Sequence, residues 1–137
     1  MIGILIIAHG NLAESLSECA KHVLGKELQQ FAYLAVEKID DPAGLLPEAR
    51  RLANTLNTGE GVLVLSDMYG ATPCNLVSNL LQPGLIEGVA GVNLPMLVRA
   101  MTYRHESLLK LVEKAVSGGR EGVLHFNHES CSRYEEE

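Results

Sequence analysis

Short apolar runs alternate with segments of helical periodicity along this chain, and that alternation restricts the possible folds more than any other feature. Four runs are too short for helices, and most are rich in β-branched residues or bounded by glycine, as strands are. These runs are residues 2–7, 31–36, 62–65 and 86–91. A regular order of strand, helix and strand implies right-handed crossovers and therefore a mainly parallel sheet.

Start and stop signals mark the helices between these runs. Asn11 and Glu14 have the spacing of a capping box, and Gly25 supplies a C-terminal stop for a first helix. The second helix covers roughly residues 45–56, and we place its start near Pro47 because proline cannot donate a hydrogen bond inside a helix.

The second half of the chain continues the pattern. Thr72 is predicted as the N-cap of a third helix, with Pro73 at the first helical position, where a missing N–H costs nothing. Two further helical segments and a short edge strand follow, at residues 95–103, 106–116 and 122–126.

These elements predict an α/β fold with an open, mainly parallel sheet in a 2-1-3-4 order, helices on both faces and a short C-terminal edge strand. The length of 137 residues suits a single domain. We assign residues 1–126 to this domain and residues 127–137, which are polar and acidic, to a flexible tail.

Composition narrows the class of protein. Eleven Lys and Arg against 17 Asp and Glu give a net charge of −6, which argues against general binding to nucleic acid or to anionic lipid. The apolar start, residues 2–8, is too short to span a bilayer and has no basic leader. Three cysteines without paired spacing fit a reducing compartment, so we expect a cytoplasmic protein.

Two ionisable residues end two of the predicted strands. His9 follows the first strand and Asp67 follows the third. In a 2-1-3-4 order these strands are neighbours about 4.8 Å apart, so the two side chains can form a hydrogen bond at the carboxyl edge of the sheet. The carboxylate would fix the imidazole tautomer and leave the other ring nitrogen as a nucleophile.

Two helices are predicted to start beside this pair, one after Gly10 and one at Thr72. Their free N–H groups form an anion-binding site, to which the Thr72 hydroxyl adds a hydrogen-bond donor.

Each of these sequence features also has an ordinary structural explanation. A histidine at a strand end can bond a nearby carbonyl, Asp67 can cap a turn, and Thr72-Pro73 is a common helix start.

Three motifs resemble one known family. "AHG" closes the first strand, "SDMYGATPCN" follows the third and "GVNLPML" follows the fourth. Together they resemble the enzyme IIA component of the mannose and fructose type of the bacterial phosphoenolpyruvate-dependent sugar phosphotransferase system. The resemblance covers roughly residues 1–126. It implies a phosphotransferase in which His9 accepts a phosphoryl group from the histidine-containing phosphocarrier protein and passes it to a IIB component, with Asp67 as the orienting carboxylate.

The resemblance also implies the rest of the site. The phosphoryl group would be bound at Gly10, Gly70, Ala71 and Thr72, with Ala71 standing where many members have a second glycine. No metal and no cofactor are expected. An apolar rim for docking partners is predicted from residues of the two flanking loops: Met68, Tyr69, Leu94, Pro95 and Met96. Packing beneath a turn is the alternative for Leu94 and Met96.

The expected partners follow from the same resemblance. The chain carries no IIB domain, so IIB would be a separate chain, and contact with the membrane would come only through a permease complex. No nucleic acid is expected. Members of the family are commonly dimers, and residues 122–126 could pair or exchange in such a homodimer.

Other polar residues give weaker indications. His125, His128 and Cys131 lie three residues apart, but chance spacing is favoured over a metal site. Arg99 and Arg104 are the basic residues considered for contact with a partner or with the phosphoryl group.

Two alternative functions stay open at this stage. One is a regulatory module whose phosphorylation state controls another protein without sugar transport. The other, a nucleotide-binding or small-ligand domain, is disfavoured because neither a G-x-G-x-x-G turn nor a G-x-x-x-x-G-K loop follows a strand. The sequence does not identify the sugar.

Overall fold

The computed structural model describes residues 1–37 and 41–129 of the chain. In this part of the chain, helices follow strands in regular alternation up to a final pair of helices. The strands are β1 (Gly3–His9), β2 (Phe31–Val36), β3 (Val62–Ser66) and β4 (Ile86–Ala90). The helices are α1 (Leu12–Leu24), α2 (Pro42–Leu56), α3 (Thr72–Ser78), α4 (Leu94–Thr102) and α5 (Leu108–Glu121).

The four strands form one sheet in the order β2-β1-β3-β4, and every pairing is parallel. This confirms the predicted α/β class and the 2-1-3-4 order. Because all strands point the same way, the segments that follow them lie at a single edge of the sheet. In the register, His9 of β1 lies opposite Val36 of β2, and the last β1–β3 pair is Ile7 with Ser66.

Helices cover both faces of the sheet and bury its central strands. Side chains of one parity on β1 and β3, such as Ile6 and Leu65, pack with α1, α4 and α5. Side chains of the other parity, such as Ile7 and Val64, pack with α2 and α3. A strand that is buried on both faces reads as a continuous apolar run, which is why the first and third runs show no alternation.

Helices α2 and α5 differ from the prediction by several residues. Helix α2 begins at Pro42, not near Pro47, because the Asp41 side chain accepts a hydrogen bond from the backbone N–H of Ala43 and caps the helix there. Pro47 lies inside α2, so the helix forgoes one backbone bond. Helix α5 continues through Gly118 to Glu121, beyond the predicted end at residue 116.

The predicted C-terminal edge strand is wrong for the single chain. Gly122 ends α5, and residues 123–127 have no regular structure. Val123, Leu124 and Phe126 are exposed. The composition of this segment favours a strand, but a strand also needs a neighbour that supplies backbone hydrogen bonds, and no such ladder forms within the described residues.

The predicted tail, residues 127–137, lies partly outside the described residues. Residues 127–129 are exposed. Among residues 1–37 and 41–129, no helix is both long and apolar enough to cross a membrane.

Candidate functional site

His9 is the last residue of β1, where the buried strand reaches the surface. The six residues before it in β1 are buried, whereas the His9 side chain is 50% exposed. Gly10, with a φ of 53°, then turns the chain into α1. The fold therefore presents a solvent-accessible imidazole at the end of a strand whose other residues are buried.

Asp67 follows β3 directly and bonds His9 at two points. Its Oδ2 accepts a hydrogen bond from the backbone N–H of His9 at 3.0 Å and lies 2.8 Å from His9 Nδ1. The β1–β3 ladder ends at the pair of Ile7 with Ser66, and beyond it the Asp67 carboxylate, rather than a β3 carbonyl, accepts from the His9 backbone N–H. This confirms that the sheet brings the two predicted residues into contact.

The environment of Asp67 keeps its carboxyl group ionised. Burial raises the pKa of Asp67, but the hydrogen bonds from the backbone and ring of His9 outweigh burial, and the pKa lies below its usual value of 3.8. An ionised carboxylate only accepts hydrogen bonds, so His9 Nδ1 carries the proton in this pair. The lone pair of the neutral ring is then on Nε2.

Asp67 Oδ1 lacks a hydrogen-bond partner among the described residues, although it is buried. Both bonds to His9 therefore end on the same oxygen, Oδ2. The Asp67 side chain is only 12% exposed, so water has little access to its carboxylate, whereas the His9 ring is open to solvent.

The loop between Asp67 and α3 lies at the same edge of the sheet as His9. Gly70 has a φ of 83°, a conformation that glycine adopts without strain. Ala71 has a φ of −93°, an ordinary value for alanine, so this turn needs no second glycine. Ala71 is the N-cap, and Thr72 is the first helical residue rather than the predicted N-cap.

Helix α1 begins at this same edge. Its N-cap is Asn11, as predicted, but the Asn11 side chain makes no capping hydrogen bond. Gly25 ends α1 in the left-handed conformation, as predicted. Gly10, Gly70, Ala71 and Thr72 thus all follow the two central strands, at the edge where His9 and Asp67 meet.

The predicted apolar rim is only partly exposed. Met68 and Tyr69 are 62% and 86% exposed, and Pro95 is also exposed. Leu94 is half-buried against the core. Met96 is only 4% exposed and belongs to the core beneath α4, so its place in the rim is wrong. Met96 follows Leu94 by two residues, and the turn of α4 directs it inward.

The other basic candidates do not reach the site. Arg99 Nη1 donates to Glu121 Oε2 at 2.5 Å and to Ser117 Oγ at 3.2 Å, which joins α4 to α5. Arg104 is buried at the opposite edge of the sheet, where its guanidinium donates to the backbone carbonyls of Ile2, Gln29 and Gln30. Burial lowers the pKa of Arg104 to about 10.

Sequence reasoning missed this anchoring role of Arg104. The carbonyl groups that Arg104 contacts are distant from it in the sequence, and no local motif predicts these contacts. For the tail, His125 and His128 are exposed, and Cys131 lies outside the described residues. No group of three or more potential metal ligands forms within residues 1–37 and 41–129.

Comparisons with known proteins agree with this geometry. The family model described as "PTS system fructose IIA component" matches residues 3–116. The mannose-specific EIIAB component of the phosphotransferase system of Escherichia coli K12 is 34% identical over 125 residues. That match covers 89% of this chain but only 38% of the relative, so the chain spans less than half of the length of that protein.

Two further relatives support the same family. The fructose-specific EIIA component of Bacillus subtilis is 27% identical over 111 residues, which cover 80% of this chain and 75% of the relative. The crystal structure of the phosphotransferase system component EIIA from Streptococcus agalactiae has a TM-score of 0.81 and 27% identity. It covers 92% of this chain and 98% of its own.

Proposed function

Because the chain belongs to the family of fructose-type IIA components of the sugar phosphotransferase system, we propose that it is a phosphocarrier that reacts through His9. It accepts a phosphoryl group from the histidine-containing phosphocarrier protein and passes it to a IIB component in sugar uptake. The observation that carries this proposal is the 2.8 Å contact between His9 Nδ1 and Asp67 Oδ2, which leaves Nε2 as the nucleophile.

The transfer itself balances without a net proton change at this site. The Nε2 lone pair of His9 forms a bond to phosphorus while the bond between phosphorus and the donor's ring nitrogen breaks. The Nδ1–H stays on His9 and donates to Asp67, whose negative charge stabilises the positive charge that develops on the ring. The protein needs to supply positioning and electrostatics, and no metal or cofactor enters the proposal.

We assign the phosphoryl oxygens to the backbone donors beside the ring. Gly10, Gly70 and Ala71 follow the two central strands, and Thr72 adds a hydroxyl at the start of α3. Because the Asn11 side chain makes no capping hydrogen bond, it does not occupy the backbone N–H groups at the start of α1. These groups supply donors at the edge where the phosphoryl group would lie.

Docking of partners is assigned to the exposed part of the rim. Met68, Tyr69 and Pro95 are exposed at the same edge as His9, and Leu94 lies half-buried beside them. The EIIAB relative has a name that joins A and B components in one chain. We propose that a IIB component docks on this rim, that the protein acts in the cytoplasm, and that it meets the membrane only through a permease complex.

The proposal is tested by phosphorylation with phosphoenolpyruvate and the upstream phosphorylation components. We expect a stoichiometric, acid-labile label on His9, which ³¹P NMR should assign to Nε2. The label should be absent from His9→Ala and present in His22→Ala, a matched change of an exposed histidine on α1. Label that persists in His9→Ala would reject the proposal. Label on His9 that no IIB protein accepts would favour the regulatory function.

We also propose that the protein is a homodimer. The outer edge of β4 has no partner strand in the described part of the chain, and a groove beside it is lined by residues of β4, by α5 and by Val123. Val123, Leu124 and Phe126, in the segment that follows α5, are exposed. A second copy that covers these side chains and pairs with the strand would remove both exposed features.

A further inference from the structure

A small polar cavity lies at the opposite end of the sheet from His9. It has a volume of about 130 Å³ and lies between the second half of α2, the end of α3 and the start of β4. Ile86, the first residue of β4, is in register with Val62 and through it with Gly3, the first residue of β1. His9 is the last residue of β1, so the cavity is separate from the site proposed for the phosphoryl group.

The lining of this cavity combines a buried apolar part with an exposed polar part. The buried residues belong to the core between the sheet and helices α2 and α3: Ala53, Leu80 and Ile86. The exposed residues all carry polar side chains: Arg50, Asn54, Asn79 and Gln82. None of these lining residues is acidic, so the cavity carries one positive charge and three carboxamides.

Arg50 has few partners in the described part of the chain. Its Nη2 donates to the carbonyl oxygen of Asn79 at 3.5 Å, and it forms no ion pair with a carboxylate of the described residues. The nearby carboxylates of Glu48 and Glu87 are bonded elsewhere, the first to Arg51 and the second to a backbone N–H. A guanidinium has five N–H donors, so most of those of Arg50 are available to a ligand.

Two carboxamides add further donors. The side chains of Asn54 and Gln82 form no hydrogen bond within residues 1–37 and 41–129. Asn54 follows Arg50 by one turn of α2, so the two side chains lie on the same face of the helix. The backbone of Gln82 is fixed by hydrogen bonds with Ile86 in both directions, at 3.0 and 2.8 Å. The fold therefore holds the backbones of these donors in place on two sides of the cavity.

We propose that this cavity binds a phosphate group through the guanidinium of Arg50 and the side-chain amides of Asn54 and Gln82. The paired N–H groups of a guanidinium match two phosphate oxygens, and amides on another side can donate to the remaining ones. The positive charge disfavours a cation, and an apolar ligand would leave the amides without partners. The inference does not depend on the proposed function, because it uses none of the residues at the carboxyl edge of the sheet.

The test is a titration of the full ¹⁵N-labelled chain with inorganic phosphate at constant ionic strength, followed by NMR. We expect saturable shifts of the Arg50 Nε–H and of the Asn54 and Gln82 side-chain amides, with a Kd on the order of 1 mM. Arg50→Gln should weaken binding about tenfold or more, because it removes the charge and the paired donors. The variant should stay folded, since Arg50 is exposed and makes one long hydrogen bond.

Arg51→Gln is the matched control, because it removes the same charge from the next residue of α2, whose guanidinium is bonded to Glu48. It should bind phosphate with the wild-type affinity. Equal weakening by Arg50→Gln and Arg51→Gln would overturn the inference, since it would indicate general attraction to surface charge. Shifts confined to residues around His9, or no saturable shift at the three side chains, would also overturn it.

A parallel titration with glycerol phosphate identifies the source of the phosphate group. The cavity is lined by exposed side chains, so the organic part of an ester has room outside it. Binding of the ester at least as tight as that of inorganic phosphate would indicate a phosphate monoester as the ligand. Binding of inorganic phosphate alone would indicate the free ion. Failure of both probes to bind at Arg50 would overturn the inference, whether or not His9 is phosphorylated.

Discussion

One carboxylate oxygen holds both the backbone and the ring of the residue on which the proposed function depends. Asp67 Oδ2 bonds the His9 backbone N–H at 3.0 Å and His9 Nδ1 at 2.8 Å. The orientation of the imidazole is thereby fixed to the end of the β1–β3 ladder. The sequence predicted this pair because both residues end neighbouring strands, but it did not predict the second bond, since a backbone donor leaves no trace in side-chain patterns.

The lowered pKa of Asp67 makes a prediction about stability. A carboxyl group whose pKa in the folded state lies below its usual 3.8 stabilises the fold above that pH, and the contribution is lost as the pH falls through the folded value. Asp67→Asn should lower the free energy of unfolding by about 1 kcal/mol near neutral pH, and the difference from wild type should shrink in acid. Urea unfolding across this range measures it.

The same variant separates positioning from folding. Asp67→Asn should slow His9 phosphorylation by about 10- to 100-fold, because a neutral amide no longer stabilises the positive ring or fixes its tautomer. Glu113→Gln, an exposed carboxylate on α5, should change neither the rate nor the pH dependence of stability. Equal rates for Asp67→Asn and wild type would argue against the orienting role.

At the scale of elements, the contact between α4 and α5 depends on a missing side chain. A Cβ added at Gly118 would lie 2.9 Å from the Cβ of Arg99, which is held by the α4 backbone. The same addition at Gly119 would meet the Cε of Met96 at 2.7 Å, the end of a flexible side chain that can move. The two adjacent glycines are therefore expected to tolerate substitution differently.

We predict that Gly118→Ala lowers the free energy of unfolding by about 1–3 kcal/mol, although alanine favours helices over glycine by about 1 kcal/mol. Gly44→Ala is the matched control, because Gly44 is in α2 with open space around its Cα. It should raise stability by about 0.5–1 kcal/mol. Thermal unfolding curves of both variants check this, and a Gly118→Ala protein as stable as Gly44→Ala would contradict the packing explanation.

The elements could be predicted where burial and local signals agree. The buried strands β1 and β3 read as apolar runs, and the ends of α1 follow from Asn11 and Gly25. The start of α2 was missed because Pro47 locally indicates a helix start, whereas the N-cap at Asp41 begins the helix earlier and leaves Pro47 inside it. The end of α5 was missed because Gly118 reads as a helix stop until the close approach of α4 is known.

Site predictions failed where the outcome depends on which way a helix turns. Pro95 and Met96 are neighbours in α4, yet Pro95 is exposed and Met96 is buried in the core. Both are apolar or amphipathic residues at the start of one helix, and a shift of a single residue in its start exchanges their environments.

For the whole molecule, the proposed dimer gives a measurable prediction. Val123→Ser together with Leu124→Ser and Phe126→Ser should shift the protein toward monomer in light scattering coupled to size-exclusion chromatography, because these exposed side chains would be covered by the second copy. Leu109→Ser changes an exposed leucine at the other end of α5 and should leave the mass unchanged. A wild-type protein that is monomeric at every concentration would contradict the proposal.

The position of His9 at the end of β1 also determines how the proposed activity would be lost. The six preceding residues of that strand are buried, and β1 has a strand on each side. Segments of this kind exchange their amide hydrogens last, since they are released only when the entire domain opens. On heating, the arrangement around His9 should therefore be lost only when the whole domain unfolds. Residual phosphoryl-transfer activity would then measure the fraction of molecules that is still folded.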